Sequence, residues 1–309
     1  MMAGISGRSP ILGVVLLLAV ALPLEPQVPP VVADPYQISV NVNLVMLQAT
    51  VHDRRGQYVS SLHEPDFEVF EDGVRQALRV FRHEDVPVTV GLVVDHSGSM
   101  RHKLADVTSA AGTFVRASNP EDQMFVVNFN EHVTMALPAG LAFSNRSDVL
   151  EAAILKTLAA GQTALYDAVV AGLDRLQAGD RQRRALIVIS DGGDNASSHR
   201  LPQMLQKAGQ STAPVYTIGI FDEDDPDRNP DVLRRLSKAT GGEAYFPRKP
   251  EDIVSACERI ARDIRSQYSL GYVSSNAAKP GAWRAIRVEA RHPGESKLSV
   301  RARAGYFSQ

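Results

Sequence analysis

Five side chains that offer only oxygen are spread through the middle of this 309-residue chain. They are Asp95, Ser97 and Ser99 in Asp95-His96-Ser97-Gly98-Ser99, Thr163 in Gly161-Gln162-Thr163, and Asp191 in Ser190-Asp191-Gly192. An all-oxygen donor set selects hard cations, Mg2+, Mn2+ or Ca2+, over Zn2+ or Cu2+. Two carboxylates balance a doubly positive ion. Three neutral hydroxyls fill positions without adding negative charge, so the ion stays electrophilic toward one further ligand, and a carboxylate from a partner suits that position. Gly98 lets the backbone turn tightly between the two serines.

Such a set works only if the fold collects it. Val88 to Val94 is apolar on both faces, as a central parallel strand covered by helices requires, and it ends at Asp95. Ala185 to Ile189 is a second buried strand, ending just before Asp191. Ligands of an open parallel sheet bind outside the carboxyl ends of its strands, so both aspartates fall on the edge where sites form. Around these strands the pattern alternates. Helical spacing is expected over 101–117, 150–158, 164–176, 200–209 and 251–266, and strands over 125–129, 133–137, 215–220 and 243–246. Asn229-Pro230 opens a further helix and Gly241-Gly242 stops it. This alternation predicts an α/β fold, a doubly wound and mostly parallel sheet with helices on both faces, over residues 87–267.

The flanks read differently. Residues 38–51, 67–71 and 74–80 are strand-like, as are 268–273, 283–290 and 298–304. About three strands on each side would leave an apolar face exposed if either group stood alone. The two segments, 34–86 and 268–309, are therefore expected to pair into one small β-sandwich-like domain with the α/β domain inserted between its halves.

Asp95-His96-Ser97-Gly98-Ser99-Met100, together with Thr163 and Asp191, resembles the metal-ion-dependent adhesion site of von Willebrand factor type A domains. All five ligand positions of that family are matched in order. Gly161-Gln162-Thr163-Ala164-Leu165-Tyr166-Asp167-Ala168, Ser190-Asp191-Gly192-Gly193-Asp194-Asn195 and Thr240-Gly241-Gly242 agree with it. The flanking Asp66-Phe67, Glu71-Asp72-Gly73 and Gly305-Tyr306-Phe307 resemble a bacterial branch of the family. The resemblance implies that Asp95, Ser97, Ser99, Thr163 and Asp191 coordinate Mg2+, with Mn2+ or Ca2+ as alternatives, and that the chain is a non-enzymatic, adhesion-type module whose protein partner presents Asp or Glu. His96, Asp194 and Asn195 are candidates for the partner-facing surface, with His96 expected to be solvent-exposed. A structural envelope scaffold whose metal only stabilises the fold is the alternative. A metal-dependent hydrolase is disfavoured because no G-x-S-x-G elbow or P-loop occurs and Ser97 stands where a phosphoaspartate enzyme would want a second aspartate.

The remaining signals are plainer. A net charge of −2 without a Lys/Arg run excludes a nucleic-acid stripe. Residues 1–33, with the apolar run Ile11 to Leu22 and Val31-Val32-Ala33, read as a secretory signal cleaved after Ala33; export to the periplasm, cell surface or medium is the expectation. Cys257, the single cysteine, sits at helical spacing among apolar residues and is expected to be buried. The acidic stretch Asp222 to Asp227 fails the EF-hand pattern, with Asp227 where Gly is needed and Leu233 where Glu is needed. Trp283 is expected to pack between sheets.

Overall fold

The computed structural model describes residues 44–221, 228–276, 281–292 and 298–308. Residues 1–33, read above as a signal segment, and the acidic stretch 222–227 lie outside the described residues.

The central sheet has six strands in the order β10-β9-β8-β5-β6-β7. They are β5 (Val88–Asp95), β6 (Gln123–Phe129), β7 (Val133–Met135), β8 (Arg183–Ser190), β9 (Val215–Gly219) and β10 (Ala244–Tyr245). All neighbours run parallel except β7, which returns antiparallel beside β6. Helices α1 (Leu104–Ala117), α2 (Ser147–Leu155) and α6 (Pro250–Arg265) cover one face. Helices α3 (Leu165–Leu176), α4 (Leu201–Gln210) and α5 (Pro230–Thr240) cover the other. Strand β5 is buried along its whole length because it serves both layers. Val88, Val90, Leu92 and Val94 face the first layer and Val93 the second. At Gly91 a Cβ would lie 2.5 Å from Phe125 and 2.6 Å from Leu186, so the large neighbours on that face take the space. Helix α5 starts and stops as its sequence signals require. The Asn229 side chain accepts from the Val232 N–H, Pro230 takes the first turn, and Gly241 ends the helix at φ 82°.

The flanking segments form two antiparallel four-stranded sheets. One has the order β13-β1-β11-β4, built from β1 (Leu44–His52), β4 (Leu78–Arg82), β11 (Tyr268–Val273) and β13 (Ser299–Ala302). The other is β14-β12-β2-β3, from β2 (Phe67–Glu71), β3 (Val74–Gln76), β12 (Trp283–Ala290) and β14 (Gly305–Phe307). Both mix strands from before and after the central domain. Leu47, Val69, Tyr268 and Leu270, all fully buried, close their shared core.

Three details differ from the sequence reading. Residues 298–304 are not one strand. The chain leaves one sheet after Ala302 and joins the other at Gly305, where a Cβ would sit 2.4 Å from the Trp283 ring. Trp283 is not packed between sheets: it is 45% exposed and meets Phe307 edge-on. Helix α2 runs from Ser147 to Leu155, earlier than its apolar spacing suggested, which leaves Leu158 on a loop.

Candidate metal centre

The carboxyl ends of β5 and β8 lie side by side, with Val94 opposite Ile189, so Asp95 and Asp191 leave the sheet at adjacent points. Residue 95 ends its strand fully buried, and its carboxylate folds back on its own loop. Asp95 Oδ1 accepts the Ser97 N–H at 2.8 Å and Oδ2 accepts the Ser190 hydroxyl at 2.6 Å. Ser97 then leads into a single 3-10 turn, Gly98–Met100, which brings Ser99 over the edge. The two serine hydroxyls are 3.1 Å apart, and Ser99 donates to Asp191 Oδ2 at 2.5 Å. The other Asp191 oxygen, Oδ1, accepts the Gly193 N–H at 3.0 Å. Gly192 makes that turn possible. Its φ is 85°, and a Cβ would lie 2.3 Å from the Asn229 carbonyl oxygen.

Four of the five expected ligands are thus joined by one short chain of hydrogen bonds. Thr163 reaches the site differently. Gly98 N–H donates to Gly161 O at 3.2 Å, Ala160 N–H to His96 O at 2.9 Å and Ala164 N–H to Asn130 O at 2.7 Å. These bonds hold the Thr163 loop against the Asp95 loop, with Thr163 itself buried. Asn195 fixes it further. Its Oδ1 accepts the Thr163 N–H at 2.9 Å, and its own N–H donates to Thr163 O at 2.9 Å.

The electrostatics single this cluster out. Burial first, and the neighbouring Asp191 carboxylate second, push the Asp95 carboxyl up to about 6, against hydrogen bonds from Ser190 and Ser97 that pull it down. Among the described residues no Lys or Arg is a hydrogen-bond partner of either aspartate; their partners there are hydroxyls and backbone amides. Two carboxylates on one buried edge without a cationic side chain form an incomplete charge arrangement. A hard divalent cation completes it, and the donor set fits one: two carboxylates and three hydroxyls, all oxygen. Among the described residues no group of three or more His, Cys, Asp or Glu side chains is placed to hold a metal, so this mixed set is the candidate.

Of the three residues expected to face a partner, His96 is buried, Asp194 is half-buried and Asn195 is exposed. His96 is a correction. It is fully buried, with Nδ1 3.1 Å from Val94 O and Nε2 2.8 Å from Ile154 O, and it staples the Asp95 loop to the end of α2. The alternation of a loop between ligands suggested exposure, but the ring turns inward because two strand- and helix-end carbonyls need a donor. Burial holds its pKa below the ordinary imidazole value. Asp194 accepts from the Tyr166 N–H at 3.1 Å in the first turn of α3, and from the Ser197 hydroxyl at 2.6 Å. It caps α3, not the helix that follows it in sequence. Asn195 is exposed, but its side chain serves Thr163.

Sequence reasoning missed several supporting groups. Ser190 was visible only as part of a motif, yet it grips Asp95. Asn128, a polar residue inside buried β6, donates to Ala153 O at 2.8 Å and Thr157 Oγ at 3.0 Å, pinning the same segment as His96. An amide in an otherwise apolar strand was the available signal. Asp167 accepts from the backbone and side chains of Ser198 and His199; despite its desolvation, these bonds hold its carboxyl down to about 2. Cys257 is buried as expected, its thiol pushed up to about 12 by burial.

The model of the von Willebrand factor type A domain family matches residues 89–256, more than half of the chain. The chain belongs to that family. Among solved structures, a von Willebrand factor type A protein from Catenulispora acidiphila aligns with a TM-score of 0.52 at 16% identity, covering 80% of this chain and 75% of that one. At that identity the likeness shows the fold. An aerotolerance-related membrane protein from Bacteroides fragilis aligns at 0.46 and 16% identity, over 57% of this chain and 98% of its own. The pilus adhesin SpaC of Lactobacillus rhamnosus GG aligns at 0.48 and 12%, over 80% of this chain and 48% of its own. No curated protein matches the chain. The von Willebrand factor A fold found here is a parallel-dominated sheet between two helical layers, with additional sheets built from both flanks.

Proposed function

We propose that this von Willebrand factor A protein is an exported, non-enzymatic binding module that engages an acidic residue of a protein partner through a divalent cation. Mg2+ is the assigned ion, with Mn2+ or Ca2+ as alternatives. Asp95, Ser97, Ser99, Thr163 and Asp191 would hold it. The observation that carries this reading is the pair of buried carboxylates, Asp95 and Asp191, that share a hydroxyl network and no cationic side chain. When bound, the ion supplies an electrophilic position for a partner carboxylate.

The protein's own groups do the remaining work. Ser190 and the Ser97 amide aim the Asp95 carboxylate, the Gly193 amide aims Asp191, and Asn195 sets the Thr163 loop. His96, the imidazole between the candidate ligands, is turned inward onto two carbonyls and is not placed to take a proton from water at the site. That supports binding over hydrolysis. Export rests on the signal-like character of residues 1–33.

The test is calorimetric titration of Mg2+, Mn2+ and Ca2+ into chelator-treated full-length protein, beside Asp95→Ala. One saturable site in the wild type that is lost in the variant is expected. A folded wild type that takes up no cation would remove the metal-centred reading. A cation that raises the melting temperature while no acidic protein is captured in its presence would favour the scaffold reading instead.

A further inference from the structure

A cleft of about 920 Å3 opens at the junction between the von Willebrand factor A domain and the flanking sheets. None of the five candidate metal ligands lines it. Its walls are the 52–58 segment at the end of β1, the exposed side of α5 and the exposed side of α6; its floor is the stretch leading into β10 together with β13. The volume is within the range of small-ligand sites, which favour such junctions.

The charge of this cleft is one-sided. Arg54, Arg234, Lys238, Arg259, Arg262 and Arg301 line it, against two acidic residues, Asp53 and Glu243. Both acids are engaged internally. Asp53 accepts the Arg55 and Gln57 amides at 2.8 Å each, which shapes its loop. Glu243 binds Arg301 and accepts the Tyr245 hydroxyl at 3.0 Å. Arg301 is also engaged, since it additionally binds the buried Asp263 of α6 and so ties the floor to that helix. Arg234 pairs with Asp231 at 2.8 Å and lies over the Phe246 ring.

Arg54 is not free either, which leaves three cations. Lys238, Arg259 and Arg262 are exposed, line the cleft, and have no ion pair among the described residues. Helix-end electrostatics account for part of this. Lys238 and Arg262 lie in the last turns of α5 and α6, where a cation is favourable. Arg259 lies a turn earlier, on the same face as Arg262. Residues three apart on a helix have Cβ atoms about 5–6 Å apart, so the two long side chains can reach neighbouring oxyanions. The wall behind Arg259 is fixed, because the Tyr58 hydroxyl donates to its backbone carbonyl at 3.1 Å.

We propose that this junction cleft is a second binding site, for a compact ligand that carries two or more oxyanion groups, carboxylate or phosphate. Arg259 and Arg262 from α6 and Lys238 from α5 grip the anionic groups, while Tyr58 and Tyr245 line the less polar part. The same chemistry can come from a free phosphorylated small molecule or from an acidic peptide segment.

The experiment uses the full chain stripped of divalent cations by chelator treatment and then exchanged into chelator-free buffer, at about 0.15 M ionic strength so that long-range attraction is screened. Tripolyphosphate and a hexaglutamate peptide are titrated separately into the wild type, into Lys238→Glu/Arg262→Glu, and into Arg79→Glu/Arg200→Glu, which makes the same charge change away from the cleft. Melting temperatures report that each variant is folded. One-site binding of at least one probe is expected, weakened about tenfold or more in the cleft variant and less than about twofold in the control. Binding of tripolyphosphate alone identifies the small-molecule source, and of hexaglutamate alone the peptide. No binding of either probe, or equal weakening in both variants, overturns the proposal.

Discussion

Two buried carboxylates in this molecule have opposite surroundings. Glu71, in the core of the flanking sheets, has a fully buried side chain. It accepts from Ser274 at 2.6 Å, Arg284 at 2.7 Å, Tyr272 at 2.7 Å and Tyr306 at 2.9 Å. Burial alone would raise its pKa, but these four donors outweigh it and hold the group below the usual glutamate value. Asp95 is as deeply buried and has hydroxyl and amide donors only. Its nearest charge is another carboxylate, and its pKa rises. The first arrangement is complete within the chain. The second has no cationic side chain among the described residues, and that contrast marks out the candidate metal site.

The largest effect should come from breaking the complete arrangement. Arg284→Met removes the cation beside Glu71 and leaves a buried charge with hydroxyls alone. Urea unfolding is expected to show a loss of about 3–5 kcal/mol. A loss under about 1 kcal/mol would mean that the tyrosines and Ser274 suffice, and the contrast with Asp95 would then weaken.

The incomplete arrangement should respond to pH with the opposite sign. The Asp95 carboxyl stands at about 6 in the folded protein, against 3.8 as its ordinary value. Between those values the folded chain holds a proton that the unfolded chain has released. In EDTA, stability should therefore rise as pH falls from 7 toward 4, by on the order of 2 kcal/mol relative to Asp95→Asn, which carries no such proton. Saturating Mg2+ should cancel or reverse that trend, because metal and proton compete for the same oxygens. Parallel pH profiles for wild type and Asp95→Asn in EDTA would show that Asp95 is not strained by its charge.

The legibility of the chain follows the same division. The central sheet could be read because its strands and helices follow local periodicities: the apolar run before Asp95, the Asn229-Pro230 start and the Gly241 stop all act within a few residues. The convergence of Asp95 and Asp191 could be read because strand order sends carboxyl ends to one edge. The directions of His96, Asp194 and Trp283 could not. Each is decided by a partner far away in sequence: Ile154 for His96, Tyr166 for Asp194, and for Trp283 the point near Gly305 where the chain changes sheets. The Glu71 cluster escaped notice for the same reason, since its donors lie some two hundred residues further on.

His96 also offers a smaller test of how the candidate metal edge is held. A neutral ring can donate to only one of the two carbonyls it faces, so the staple is a modest one. His96→Ala should cost about 1–2 kcal/mol in urea unfolding and weaken Mg2+ binding through the displaced loop, with one cation still bound at saturation. An unchanged stability would mean that Asn128 alone anchors the end of α2.

The smallest expected effect on stability concerns Leu158. It is 86% exposed, the highest value among the exposed large apolar side chains of the described residues. Its loop is nevertheless held in place: Ala160 N–H donates to His96 O, and the Arg101 guanidinium donates to Ala159 O at 3.4 Å. An exposed leucine on a fixed loop, five residues before a candidate metal ligand, has no packing role for a substitution to disturb. Leu158→Ser should therefore change stability by less than about 0.5 kcal/mol and leave Mg2+ affinity intact. If a partner docks its carboxylate at the candidate metal, apolar side chains beside that carboxylate would need exposed apolar surface, which Leu158 offers. Chelator-sensitive capture of an acidic partner should then be weaker with Leu158→Ser than with the wild type, although the folded, metal-loaded protein is otherwise the same. Equal capture by the two proteins would move the docking surface to another side of the metal edge.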